Sequence, residues 1–229
     1  AGADKLTLAN ATNTVTVANI ETVTGGTSAD LVVLAGALTG GRIDLGAGSD
    51  TLVIGEDGAT LTVANIETVL GDASSDVITL AAAVTGGLVD LGDGDDALNL
   101  GASGATLTVA NVETLTGGAG ADAVTLASAV EDISLNLGAG NDRLSLANGG
   151  NTLTVANIET VVGGTGDDAV TLGAATTGGR VDLGSGADAL DLGAAGATLT
   201  VTGVETLTGG AGADAITLGG AVTSGTIDL

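Results

Sequence analysis

Gly117-Gly118-Ala119-Gly120-Ala121-Asp122 runs straight into Ala123-Val124-Thr125-Leu126, and these ten residues decide the fold. Three glycines and an aspartate are turn chemistry. The four residues after them alternate, which puts Val124 and Leu126 on one face and gives the period of a strand. The turn recurs as Gly25-Gly26-Thr27-Ser28-Ala29-Asp30, Gly163-Gly164-Thr165-Gly166-Asp167-Asp168 and Gly209-Gly210-Ala211-Gly212-Ala213-Asp214, with a degenerate copy at Gly71-Asp72-Ala73-Ser74-Ser75-Asp76. Starts at 25, 71, 117, 163 and 209 are 46 apart without insertion, and residues 1–24 match the second half of a period. Fixed periodicity of this size marks a solenoid or related array, so residues 1–229 read as one continuous repeat domain.

Each period holds a second turn. It appears as Gly46-Ala47-Gly48-Ser49-Asp50, Gly92-Asp93-Gly94-Asp95-Asp96, Gly138-Ala139-Gly140-Asn141-Asp142 and Gly184-Ser185-Gly186-Ala187-Asp188. The turn aspartates are therefore Asp4, Asp30, Asp50, Asp76, Asp96, Asp122, Asp142, Asp168, Asp188 and Asp214, spaced alternately 26 and 20. Between turns, Leu98 and Leu100, Val181 and Leu183, and Leu61 and Val63 alternate with small or polar residues, and no stretch has a capped helical period. The expected fold is all-β, a parallel β-solenoid of about ten coils with two coils per 46-residue period. If every Gly–Asp turn lies on one edge, the coils hold 20 and 26 residues alternately, and the longer one carries an extra strand such as Thr106-Leu107-Thr108-Val109. Three coils per period is the other geometry; it leaves one coil without a turn of this type.

Composition narrows the function. The chain has 41 Gly and no Pro, Cys, Met, His, Phe, Trp or Tyr, so the core must be thin and built from Val, Leu, Ile and Ala. Without His or Cys there is no thiolate chemistry and no common transition-metal site. Twenty-eight acids against four bases, a net charge of −24, argue against nucleic acid and anionic membranes as partners. No apolar run reaches the length of a membrane span.

On the one-edge model, 23 of the 28 acids lie on or beside that edge: the turn aspartates, Glu21, Glu67, Glu113, Glu159 and Glu205, Asp44, Asp90, Asp182 and Asp228, and Asp72, Asp93, Asp95 and Asp167. Like charges stacked at strand spacing repel, so the stack calls for cations. Ca2+ fits best, because it accepts six to eight oxygens, carboxylate and carbonyl, in loose geometry. The expectation is one ion per gap between coils. The ligands would be the turn aspartates with the carbonyls of Gly46, Gly48, Gly92, Gly94, Gly118, Gly120, Gly138, Gly140, Gly164, Gly166, Gly184, Gly186, Gly210 and Gly212. Ser28 and Ser74 stand where other copies have glycine, which makes the sites at Asp30 and Asp76 weaker.

Gly117 to Thr125 and Gly163 to Thr171 resemble the GGxGxDxUx nonapeptide of the repeats-in-toxin (RTX) family, a Ca2+-binding parallel β-roll. Asn157-Ile158-Glu159-Thr160-Val161 resembles the lead-in to such turns in large secreted adhesins and surface proteins. The resemblance implies secretion by a type I exporter and folding outside the cell; the 46-residue period departs from the family's 18-residue double turn, so a larger coil is expected.

The leading functional expectation is a Ca2+-rigidified structural segment of an extracellular or cell-surface bacterial protein: an adhesin stalk, surface layer or filament. Self-association would be end to end, as the array continues past both ends, or lateral, through a face of small residues that includes Ala123, Thr125, Ala169, Thr171, Ala215 and Thr217. A second class is a Ca2+-dependent ligand- or ice-binding module. It draws on a ladder of threonine pairs (Thr14 and Thr16, Thr60 and Thr62, Thr106 and Thr108, Thr152 and Thr154, Thr198 and Thr200). An RTX appendage of a secreted enzyme or toxin is a third. The chain itself reads as no enzyme, since its carboxylate pairs repeat where an active site is singular.

Overall fold

The computed structural model describes residues 2–222 and 224–229, and every regular element in it is a strand. The chain forms two compact units, Ala1–Gly120 and Ala121–Leu229. In the first, strands Lys5–Thr7, Thr22–Gly26, Leu38–Gly46, Ala59–Ala64, Val77–Leu80, Ala97–Asn99 and Thr114–Gly118 form one parallel sheet. Strands Thr14–Val17, Leu31–Leu34, Thr51–Val53, Thr68–Asp72, Thr85–Gly92 and Thr106–Ala110 form the sheet facing it. The second unit repeats the plan. Ile133–Gly138, Thr152–Ala156, Ala169–Leu172, Ala189–Asp191, Thr206–Thr208 and Thr226–Asp228 lie in one sheet. Ala123–Leu126, Arg143–Ser145, Thr160–Val162, Thr176–Asp182, Ala197–Thr202 and Ala215–Leu218 lie in the other.

The chain thus crosses from sheet to sheet at every turn, and two strands complete a coil. This is the parallel β-solenoid that the sequence predicts. Its coils are shorter. Thr14 pairs with Leu31, Leu31 with Thr51, Thr51 with Thr68 and Thr68 with Leu88, offsets of 17 or 20 residues and never 26. A 46-residue period contains five strands, two and a half coils where two were expected. The stretch read as an extra strand within a long coil is a half coil of its own, because Asn-Ile-Glu alone suffices to turn the corner. Asn19, Asn65, Asn111 and Asn157 take the left-handed conformation there, φ 51° to 54°, and Ile66, Val112 and Ile158 turn into the core, 4–5% exposed.

An odd number of strands per period moves each successive period to the opposite sheet. The expectation of one edge carrying all Gly–Asp turns, with 23 acids beside it, is therefore overturned. Asp30 and Asp50 precede strands of one sheet, and Asp76 and Asp96 precede strands of the other. A spacing of 20 is one coil on the same edge; a spacing of 26 crosses to the far edge. The threonine ladder dissolves for the same reason: Thr14 and Thr16 lie on one sheet of the first unit, Thr60 and Thr62 on its other sheet. In the second unit the small-residue face divides likewise, Ala123 and Thr125 in one sheet, Ala169 and Thr171 in the other.

The core is a single aliphatic layer between the sheets. Val23, Val32, Ile43, Leu45, Leu52 and Ile78 have no exposure in the first unit, and Leu144, Leu183 and Leu192 none in the second. No helix among the described residues is long and apolar enough to cross a membrane.

Candidate functional site: paired acidic turns

Each Gly–Asp turn delivers its aspartate to the position just before a strand, where the backbone N–H would otherwise lack a partner. The preceding coil supplies that N–H and the aspartate accepts it. Asn13 N–H donates to Oδ1 of Asp30 at 2.9 Å, Asp30 N–H to Oδ1 of Asp50 at 2.7 Å, and Asp50 N–H to Oε2 of Glu67 at 2.8 Å. On the opposite edge the same ladder runs Ala59 to Asp76 (2.7 Å), Asp76 to Asp96 (2.7 Å) and Asp96 to Glu113 (2.8 Å). In the second unit Asp122 donates to Asp142 and Asp142 to Glu159, while Asn151, Asp168 and Asp188 donate in turn to Asp168, Asp188 and Glu205. Asp4 N–H meets Glu21 and Ala197 N–H meets Asp214 in the same way.

The glutamates at the foot of each ladder stand among the acids that the sequence places beside the turns, outside its set of candidate ligands. Their signal was the 17-residue spacing from the aspartate above, which equals the short coil. Asn13 and Asn151 were missed altogether. Asn151 has no exposure, and its Nδ2 donates to the carbonyls of Ala147 and Gly149 and to Oδ1 of Asp168 at 2.7 Å. A second, exposed set of rungs joins Asn65 to Asp44, Asn111 to Asp90 and Asn157 to Asn136.

The ladder satisfies one oxygen of each carboxylate and leaves the other. Oδ2 of Asp30, Asp50, Asp76, Asp96, Asp142, Asp168 and Asp188 is buried and accepts no hydrogen bond from the chain. Burial is the main force on these groups. It pushes the Asp96 carboxyl up to about 6, with Asp76, Glu113 and Asp72 adding repulsion and the Asp76 N–H opposing. It also raises Asp50, Asp76, Asp142 and Asp188 against the backbone bond each accepts. Asp4 is exposed and Asp214 half-buried.

The glycines have a steric role before any other. Gly46, Gly92, Gly138 and Gly184 hold φ between 88° and 93°, a region costly for residues with a Cβ. A Cβ on Gly46 would strike the Gly26 carbonyl, and one on Gly118 the Gly101 carbonyl. Gly48 and Gly94 are left-handed as well, at φ 156° and 141°. Ser74, in the degenerate turn, accepts from the Asp57 N–H and donates its own N–H to Asp72.

Stacked Gly–Asp turns come in pairs, Asp30 with Asp50, Asp76 with Asp96, Asp122 with Asp142 and Asp168 with Asp188. The expectation of one cation in every gap placed all the turns on one edge; with the turns divided between two edges, the stacked pair is the unit at which a cation would sit. Among the described residues no three or more Asp or Glu side chains are grouped to hold a metal ion. A cation at a pair would rest on two carboxylates and turn carbonyls, a donor set that suits Ca2+, and the unpartnered Oδ2 atoms fit one. Comparison with family models, characterised proteins and solved structures finds no match to this chain.

Proposed function

We propose that this chain is a structural, non-enzymatic β-solenoid segment of a secreted or cell-surface bacterial protein, rigidified by Ca2+ at its paired acidic turns. The observation that carries the reading is the set of seven buried Oδ2 atoms, two at each of the pairs Asp30–Asp50, Asp76–Asp96 and Asp168–Asp188 and one at Asp142, on a −24 chain. A buried carboxylate oxygen without a partner is costly. Repeating that cost at pair after pair is economical only if something with positive charge comes to it. The RTX-like motif agrees, and with it export by a type I system and folding outside the cell, where Ca2+ is abundant. The period never breaks, which supports one continuous array from 1 to 229. Such an array serves as an adhesin stalk, surface layer or filament and self-associates end to end or laterally.

Calorimetric titration of the full chain with Ca2+ tests this. Saturable binding is expected at about 10⁻⁴ to 10⁻³ M, the range of extracellular modules, and Mg2+ should compete poorly. Absence of saturable Ca2+ binding in that range would overturn the reading.

A further inference from the structure

We propose that one outward face of the first unit, on the sheet containing Leu31–Leu34, Thr51–Val53 and Thr68–Asp72, docks the same face of a second copy of this chain. Along that sheet Thr16 pairs with Val33, Val33 with Val53, Val53 with Leu70 and Leu70 with Asp90. Val33, Val53 and Leu70 are half-buried and point outward, while Val32, Leu52 and Val69 beside them are buried in the core. Leu31 and Leu88 flank the column on the same face.

Repeat symmetry does not produce this column. The position of Val33 carries Thr79, Thr125, Thr171 and Thr217 in the other periods. That of Val53 carries Thr7, Asn99, Ser145 and Asp191, and that of Leu70 carries Thr24, Thr116, Val162 and Thr208. Three positions far apart in the period lose their polar residue in the three strands that lie side by side. Parallel sheets are normally covered on both faces, and an apolar column concentrated in this way marks an interaction surface.

Charge and register point to a second copy as the occupant. The outward positions Thr14, Thr16, Leu31, Val33, Thr51, Val53, Thr68 and Leu70 hold no Lys, Arg, Asp or Glu, and acids enter only at the rim, at Asp72 and Asp90, so the centre of the face offers no complement to an acidic or a basic partner. On a chain of net charge −24 it is a neutral window through which another such chain can approach. A two-fold axis along the strands through Val53 sets Val53 on Val53 and Val33 on Leu70. One coil further it sets the Thr16 hydroxyl on the Asp90 carboxylate. The contact is isologous and closes as a pair. It deepens the lateral association proposed above by naming its face, and it rests on strand register, not on cation binding.

The chain has no Cys, so a single Val53→Cys reports the axis directly, with Thr79→Cys on the opposite sheet as control. Under mild oxidation Val53→Cys should form a disulfide-linked pair at least about tenfold faster than Thr79→Cys, because docking raises the effective thiol concentration. A second variant, Val33→Thr/Val53→Asn/Leu70→Thr, installs residues that other periods carry there. Its circular dichroism should match the parent, and its self-association by sedimentation equilibrium should weaken at least about tenfold. Both experiments are run in Ca2+ and in EGTA. Equal cross-linking of the two cysteine variants, a parent chain that stays monomeric, or association that needs Ca2+ and survives the triple variant would each overturn the proposal.

Discussion

The backbone N–H of Asp76 donates to Oδ1 of Asp96 at 2.7 Å across 20 residues of sequence, and the N–H of Asp96 passes the pattern on to Glu113 at 2.8 Å. Each carboxylate thus holds the coil before it, and its own N–H is held by the coil after. The bonds tie neighbouring coils at the strand starts, where glycine turns would otherwise leave the backbone loose. They also bury seven oxygens that the chain does not satisfy, so the same groups that join the coils limit the stability of the cation-free protein.

Replacing Asp96 by Asn keeps an acceptor for the Asp76 N–H and removes the buried charge. In EGTA at pH 7.5, Asp96→Asn should raise the thermal midpoint by roughly 2–4 °C, about 1 kcal/mol for a chain of this size. In Ca2+ the ranking should reverse, with the variant below the parent. A variant less stable than the parent in both buffers would contradict the role given to Asp96.

Stability without cations should depend on pH. Asp96 is raised to about 6, and Asp50, Asp76, Asp142 and Asp188 are raised as well, so the folded chain binds more protons than the unfolded one. The stabilisation from protonating these groups is full below the ordinary carboxyl value of 3.8 and is lost as pH rises through the folded value, about 6 for Asp96. Urea unfolding in EGTA should give a higher midpoint at pH 5 than at pH 7.5. A midpoint that rises with pH across this window would be the contrary result.

Much of this was legible in the sequence. The alternation at Val124 and Leu126 predicts a strand and a core face, and both residues are buried, 1% and 4% exposed. The turn aspartates stand just before strands, as the period expects, but on two edges and not one. The phase of the period against the coil was not legible, because nothing in Asn65-Ile66-Glu67 says that three residues turn a full corner. That depends on Asn65 adopting φ 53° and on Ile66 reaching the core. Counted as a turn, this segment makes five strands per period and sends alternate pairs to opposite edges. The buried amide of Asn151 was hidden for another reason: three of the five equivalent positions, Ala59, Ala105 and Ala197, carry no polar group, and only Asn13 repeats it, so the position does not stand out from the period.

Asn151 should be the most sensitive of the capping positions. It spends its amide on the carbonyls of Ala147 and Gly149 and on the Asp168 carboxylate, of which Gly149 alone is half-buried and the others are buried. Asn151→Ala should cost about 1–3 kcal/mol by leaving those acceptors unmet. Asn13→Ala, at a half-buried site with the equivalent bonds, should cost less. Denaturant midpoints of the two variants compare them directly, and a larger loss at Asn13 would run against the argument.

Two glycines separate backbone strain from crowding. Gly40 has φ 77° with nothing within 4 Å of an added Cβ, whereas Gly46 has φ 90° and its Cβ would meet the Gly26 carbonyl. Gly40→Ala should cost about 1 kcal/mol, the strain of a left-handed backbone. Gly46→Ala should add to that strain the separation of two stacked turns and lose hydrogen-exchange protection around Gly26 and Asp50. Equal effects at the two positions would show that the coils are not packed as closely as described.

The most direct test of the central claim is far-UV circular dichroism of the full chain during thermal unfolding, in EGTA and in millimolar Ca2+, with Mg2+ at the same concentration as control. If Ca2+ bridges the paired acidic turns, the unfolding midpoint rises steeply and saturably with Ca2+ and hardly at all with Mg2+. Identical curves in EGTA and Ca2+ would contradict it and leave the carboxylate ladder as a purely internal fastening.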